Sequence, residues 1–253
     1  MTDMRGIGVL ILAGQREGVA DPLCEAHGIT RKALLPVLGT PQLDRVATAL
    51  ETAGLARPYR LSGLGESRDG FETAPTGLGP ADSAWLALQG ARFPVLLTTA
   101  DHPLLTPEMV ERFIGDAVAT GADLCVGLAT RDTIQSAHPE TRRTYLKFSD
   151  QQVSGCNLFY LANPDALAAI RFWRKAQSDR KRPLRLASHF GVGAILQYLF
   201  GRLSLDGAFA FASRKLGIAA RPVLLPFAEA AIDLDKPSDL PVVERILRER
   251  EAA

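Results

Sequence analysis

Ile7-Gly-Val-Leu-Ile-Leu-Ala13 runs straight into the loop Gly14-Gln-Arg-Glu-Gly18. An unbroken apolar run of this length, bounded by glycine, reads as a strand covered on both faces, as in a parallel sheet. It is too short to cross a bilayer and lacks the small-residue cleavage pattern of a signal peptide. A polar, glycine-bearing loop to Arg31 and an apolar segment from Lys32 to Leu38 follow it. Leu43, Val46, Ala47 and Leu50 then fall on one helical face behind Pro41.

The same alternation continues outward. Tyr59 to Ser62 reads as a strand, a Gly/Pro/Thr-rich loop follows, and Ala81 to Leu88 reads as a helix. Pro94 to Thr99 is a second buried strand, ending at Ala100-Asp-His-Pro103. Thr106-Pro-Glu108 combines a hydroxyl N-cap, a proline at the first helical position and an acid in the first turn. That helix should turn Met109, Val110, Phe113, Ile114 and Ala117 inward, and Asp123 to Ala129 should return as strand. A polar loop from Thr130 to Arg143 precedes further strands at Tyr145–Phe148 and from Ser154 to Tyr160. Residues 163–217 read as helices with basic linkers, Pro222–Phe227 and Ala231–Asp235 as strands, and a closing helix starts at Pro237.

Strands and helices alternating at this spacing predict an α/β fold: a mostly parallel, Rossmann-like sheet with helices on both faces. One domain over residues 1–253 is expected, carrying a helical insertion or lid over 163–221. In such sheets ligands bind beyond the carboxyl ends of the strands, so chemistry is sought in the loops after Ala13, Thr99 and Ala129.

The chain has 253 residues, is 47% apolar and has a formal net charge of +1. That excludes a disordered chain and argues against a globally basic nucleic-acid binder. Residues 171–221, however, sum to +9, which leaves −8 for the rest. A phosphate-attracting lid or an oligomer contact is favoured for this segment over contact with an anionic membrane surface. Cys24, Cys125 and Cys156 are far apart and form no C-x-x-C pair, which fits a reducing cytoplasm.

Four constellations carry chemistry. Backbone N–H groups of the loop after Ala13 can wrap an anion, with Arg16 adding charge, although the spacing is neither that of a P-loop nor G-x-G-x-x-G. Lys32 either snorkels or sets a point charge on a triphosphate. Asp101 ends an apolar strand, where it either caps a turn or holds Mg²⁺ alongside phosphate oxygens. Asp233 and Asp235, two apart on a short apolar strand, share one face; either is a second ligand for a metal held by Asp101, or Asp235 caps the helix opened by Pro237. His102 reads as packing rather than as a base.

Val9-Leu-Ile-Leu-Ala-Gly-x-Arg16 and Lys32-Ala-Leu-Leu-Pro-Val-x-Gly-x-Pro41 resemble the opening of the MobA-like nucleotidyltransferases. Gly79-Pro-Ala-Asp-Ser83, Thr99-Ala-Asp-His-Pro103, Ser154-Gly-Cys-Asn157 and Asp233-Leu-Asp-Lys-Pro-Ser-Asp-Leu240 match in order. The family's usual Gly-Gly-x-Gly/Ser-x-Arg is altered here, since a single Gly14 is followed by Gln15. The resemblance covers most of the chain outside roughly 165–220.

It implies transfer of an NMP group from an NTP, CTP or GTP first, to a phosphorylated small-molecule acceptor, with release of pyrophosphate. Gly14, Arg16 and Lys32 would hold the phosphates, Leu12 and Ala13 would border the nucleotide, and Gly79 and Ser83 would line the base and ribose. Lys147, Gly155 and Asn157 would meet the acceptor. Asp101 with Asp233 or Asp235 would bind Mg²⁺, with Mn²⁺ as the alternative. The rival readings are a glycosyltransferase of related fold using Asp233-Leu-Asp235 as D-x-D, and a nucleotide-binding regulator without turnover. A monomer or homodimer with no nucleic-acid partner is expected.

Overall fold

A computed structural model describes residues 4–15, 21–179 and 192–252 of the chain. Among the described residues the strands are, in order, β1 (Gly8–Leu12), β2 (Pro36–Val37), β3 (Thr40–Pro41), β4 (Tyr59–Ser62), β5 (Phe71–Ala74), β6 (Val95–Thr99), β7 (Leu124–Thr130), β8 (Leu146–Lys147), β9 (Gln152–Leu161) and β10 (Ala220–Leu224). Helices are α1 (Pro22–His27), α2 (Gln42–Thr52), α3 (Pro80–Leu88), α4 (Pro107–Thr120), α5 (Arg131–Ala137), α6 (Leu167–Asp179), α7 (Val192–Leu199), α8 (Leu205–Leu216) and α9 (Leu240–Glu251).

The main sheet has the order β10-β7-β9-β6-β1-β4-β5, with β8 on β9. Strands β6, β1, β4 and β5 run parallel to one another, as do β10 and β7. Strand β9 is antiparallel to both β6 and β7. The sheet is therefore mostly parallel, as expected, with one reversed strand near its middle.

Opening residues behave as their pattern demands. Val9, Ile11 and Ala13 enter the core on one face, under α2 and α4, while Leu10 and Leu12 enter the other. Ile170 of α6 joins the second face, with Phe209 and Leu216 of α8 packed against it. Leu10 and Ile11 are fully buried, which stabilises by roughly 1.5–3 kcal/mol each. Thr106 caps α4 by accepting from the Met109 N–H at 3.3 Å. Met109, Val110, Phe113, Ile114 and Ala117 are buried as anticipated.

Five expectations are corrected. The stretch from Gly14 to Arg31 includes helix α1, whose N-cap Asp21 accepts from the Leu23 and Cys24 N–H groups. The stretch from Thr130 to Arg143 includes α5, capped by the Thr130 hydroxyl. Both helices are too short for an apolar period to show. Strand β5 falls in the Gly/Pro/Thr-rich segment; only Ala74 of its four residues is buried, so no alternation marks it. Ala228–Ala231 is a 3₁₀ turn followed by extended chain rather than sheet strand, and the last helix starts at Leu240.

Parallel register aligns the strand ends. Leu12 pairs with Ser62 on one side and Thr99 on the other, and Ser62 pairs with Ala74. The loops after β1, β4, β5 and β6 consequently leave from one edge, the edge at which open α/β sheets bind ligands.

Candidate active site

Asp101 lies two residues past β6, and its Oδ1 accepts from the Thr99 hydroxyl at 2.6 Å. That bond holds the carboxylate over the strand end. Its backbone carbonyl accepts from the Leu234 N–H at 2.9 Å, which draws the C-terminal segment against β6. Burial alternates along this segment: Ile232 and Leu234 are buried, Asp233 is partly exposed and Asp235 exposed. The two acids thus face away from the core, as the sequence spacing requires.

Lys32 opens a 3₁₀ turn over Lys32–Leu34. Its ammonium lies 2.6 Å from Asp235 Oδ1 and 3.3 Å from Asp101 Oδ2. Burial works to lower the lysine pKa, but the carboxylates of Asp101 and Asp235 outweigh it and leave the pKa raised. The turn is held from both sides. Gln42 Nε2 donates to the Lys32 carbonyl at 2.9 Å, and Gln15 Oε1 accepts from the Lys32 N–H at 3.0 Å.

Gln15, the departure from the usual motif, therefore has a structural task. Its Nε2 also donates to the Thr30 carbonyl at 2.7 Å, tying the first loop to the lysine segment. Gly14 meets Gly63 backbone to backbone: a Cβ on Gly63 would clash with Gly14 Cα. Leu12 and Ala13 are buried at and just past the end of β1, and Gly14 is exposed beyond them. Arg16 lies outside the described residues.

Asp233 is oriented differently from its neighbour. Arg143 Nη2 lies 2.6 Å from its Oδ1, and Asn157 Nδ2 donates to its Oδ2 at 3.3 Å. Burial pushes the Asp233 pKa up to about 6; the Arg143 charge opposes this, while Asp235 and Asp101 add to it. Asn157 adopts φ 53°, a conformation rare for a residue other than glycine. It sits where the β7–β9 register slips: Val126 faces Phe159 but Leu128 faces Gly155. The irregularity aims its amide at Asp233.

Gly155 is exposed on β9, and Lys147 is exposed opposite Gln152 on β8. Gly79 and Ser83 stand at the start of α3. The Ser83 hydroxyl accepts from the Gly77 N–H at 3.0 Å. A Cβ on Gly79 would clash with Gln177 Nε2 of α6. Lys32, Asp101 and Asp235 are thus brought into one contact set, with Asp233, Asn157 and Arg143 adjoining it. Gly79 and Ser83, at the N-terminus of α3, are not part of this contact set.

Arg143, Thr99 and Gln15 carry structural roles in the site that sequence reading did not assign. A basic residue between α5 and β8 has no local mark, because its partner Asp233 is ninety residues away in the chain. His102 is buried, its Nε2 is 3.2 Å from the Glu229 carbonyl, and burial lowers its pKa to about 4. A neutral, enclosed imidazole fits packing rather than proton transfer.

Two hard carboxylates converge on one cation, the Lys32 ammonium, and that donor set suits an oxygen-seeking divalent ion. Asp101 and Asp235 fit such an ion. Among the described residues no group of three or more His, Cys, Asp or Glu side chains is placed to hold a metal.

The MobA-like NTP transferase domain matches residues 25–181. The chain belongs to the MobA-like NTP transferase family. A hypothetical transferase from Thermus thermophilus is 34% identical, with a TM-score of 0.80 over 94% of this chain and 100% of its own. A 2-C-methyl-D-erythritol 4-phosphate cytidylyltransferase, also from Thermus thermophilus, shares the fold at 17% identity (TM-score 0.53; 96% and 98% coverage). Molybdopterin-guanine dinucleotide biosynthesis protein A from Archaeoglobus fulgidus does so at 13% (TM-score 0.51; 96% and 100%). No curated protein matches the chain closely. Among the described residues no helix is long and apolar enough to cross a membrane.

Proposed function

We propose that the protein transfers an NMP group from an NTP to a phosphorylated small molecule. The observation that carries this is the meeting of Lys32, Asp101 and Asp235 at the end of β6, within a chain of this family. A phosphate oxygen of the acceptor attacks the α-phosphorus, the bond from that phosphorus to the bridging α–β oxygen breaks, and pyrophosphate leaves. Both reactants are anions, so the protein's work is to bring them together and neutralise their charge. The acceptor phosphate is ionised at neutral pH and needs no strong base.

Lys32, Gly14 with Leu12 and Ala13, and Arg16 would hold the triphosphate, with Gly79 and Ser83 beside base and ribose. Gly155, Asn157 and Lys147 would face the acceptor. Asp101 and Asp235 would hold Mg²⁺, or Mn²⁺ in its place, which supplies charge neutralisation on the phosphate oxygens. Asp233, engaged by Arg143 and Asn157, would orient the acceptor side. This division of the acids weighs against a D-x-D glycosyltransferase, where both acids share one ion.

The names of the fold relatives, a cytidylyltransferase and a guanine dinucleotide biosynthesis protein, make CTP and GTP the first nucleotides to test. Pyrophosphate release is measured with each of four NTPs, Mg²⁺ or Mn²⁺, and a panel of phosphorylated sugars and polyols. Release that requires both NTP and acceptor supports transfer. Nucleotide binding without release across the panel would place the protein among regulators.

A further inference from the structure

Between α5 and the β8–β9 hairpin lies a cavity of about 370 Å³, the size of a small-metabolite site. Arg131, Arg142, Arg143 and Lys147 line it, with Gln135 and Tyr145 among its neutral polar groups and no carboxylate in its wall. Among the described residues only Arg143 is matched, by Asp233 at 2.6 Å. Arg131 lies over the Tyr145 ring, 6.0 Å from its centroid. Among the described residues, neither Arg142 nor Lys147 has a carboxylate within 4.0 Å. Acids nearby are engaged elsewhere: Glu140 is gripped by Arg245, and Glu229 faces His138 at 2.9 Å.

Three uncompensated cations around one concave space repel each other, and an anion relieves that repulsion. Guanidinium groups suit phosphate or carboxylate because their donors match both oxygens of such a group. The cavity is also held in shape. Gln135 Nε2 donates to the Tyr145 hydroxyl at 3.2 Å and to the Thr141 carbonyl at 3.3 Å, which braces the segment carrying Arg142 and Arg143. Tyr145 keeps its phenol hydrogen for a ligand.

Arg143 is the joint between cavity and reaction centre. It lines the cavity and also faces Asp233, beside Asp235. Lys32, Asp101 and Asp235 do not line the cavity, yet the reacting phosphate must meet the nucleotide there. Arg131, Arg142 and Lys147 accordingly face a different part of the acceptor.

We propose that this cavity is an acceptor subsite for a second anionic group. The acceptor then carries a further phosphate or carboxylate besides the phosphate that attacks the nucleotide, and Arg131, Arg142 and Lys147 hold it. This rests on the transferase reading above.

Arg142 and Lys147 are exposed, so replacing them leaves the core intact. The full chain is titrated calorimetrically with inorganic phosphate as wild type, as the Arg142→Ser/Lys147→Gln double variant, and as Lys32→Gln. Phosphate affinity should fall about tenfold or more in the double variant, the scale of lost charge-assisted hydrogen bonds, and by less in Lys32→Gln. In turnover, the double variant should raise the acceptor KM about tenfold while leaving the NTP KM unchanged, and Arg142→Lys/Lys147→Arg should recover much of the loss.

Unchanged phosphate binding in the double variant overturns the proposal. So does equal turnover of acceptors with and without a second anionic group. No turnover with any acceptor, while phosphate binding still depends on Arg142 and Lys147, overturns the transferase reading and leaves the anion site supported.

Discussion

Lys32 has its ammonium 2.6 Å from Asp235 and 3.3 Å from Asp101, and its raised pKa keeps it charged wherever the enzyme works. Lys32→Met removes the one cation both acids share, and should lower kcat/KM for NTP by about 10²–10³-fold, as loss of a preorganised charge-stabilising donor does. Pyrophosphate release under matched metal concentration measures this; a change under about threefold, well below that scale, would remove Lys32 from the phosphate site. Lys32 and Asp101 were legible because each is a charge at the end of an apolar run. Arg143 was not, since its role arises only when the segment after α5 folds against Asp233. His102 also belongs to this scale. Burial takes its pKa to about 4 from an unfolded value of 6.5. A depressed histidine contributes stability that is complete above pH 6.5 and lost as pH falls toward 4. At about pH 5 the loss is about 2 kcal/mol. Thermal melts without divalent metal should therefore show a smaller drop from about pH 7 to about pH 5 in His102→Gln than in wild type. Parallel pH profiles for the two proteins would contradict this.

At the scale of elements, the crossing of two loops matters more than either strand. Gly63, just after β4, has φ 97° and leaves no room for a side chain against Gly14. Gly63→Ala combines left-handed strain of about 1–2 kcal/mol with a backbone clash that only movement of the Gly14 loop can relieve. Stability should fall by at least that amount in denaturant titrations, and nucleotide affinity should fall with it because the same loop carries both effects. Retained affinity in a destabilised Gly63→Ala protein would separate the loop from the nucleotide. Nothing local singles out Gly63: its partner is 49 residues earlier. The same reason hides the place of β9. Its apolar residues mark a strand, but its position between β6 and β7, and its direction, come from pairing across the sheet. By contrast β1, β4, β6 and α4 show in the sequence, because a buried run or a capped amphipathic helix is specified by its own residues.

Across the whole molecule, the two ends of the chain meet beneath the site. Leu23, Leu35 and Val37 from the first forty residues pack with Leu104 and with Ile232, Leu234, Val243, Ile246 and Leu247. Lys32, Asp101 and Asp235 each lie within three residues of a member of this cluster: Leu35, Leu104 and Leu234. Sequence order conceals the arrangement, although every residue in it is visibly apolar. Helix α9 packs beneath the segment that brings Asp235 to Lys32, so loosening it should weaken ligand binding along with stability. Ile246→Ala, at a position 2% exposed, should cost about 2–5 kcal/mol and also weaken NTP binding. Ile114→Ala on α4 removes an equally buried side chain from the main core and should cost a similar amount. Its effect on NTP affinity should stay within about 0.5 kcal/mol, as for separated sites without shared partners. Saturating NTP with divalent metal raises the Tm of any variant that binds it, and the rise at fixed ligand should be smaller for Ile246→Ala than for Ile114→Ala. Equal rises would mean that the closing helix supports the fold without setting the site, and that Asp235 reaches Lys32 independently of the packing below it.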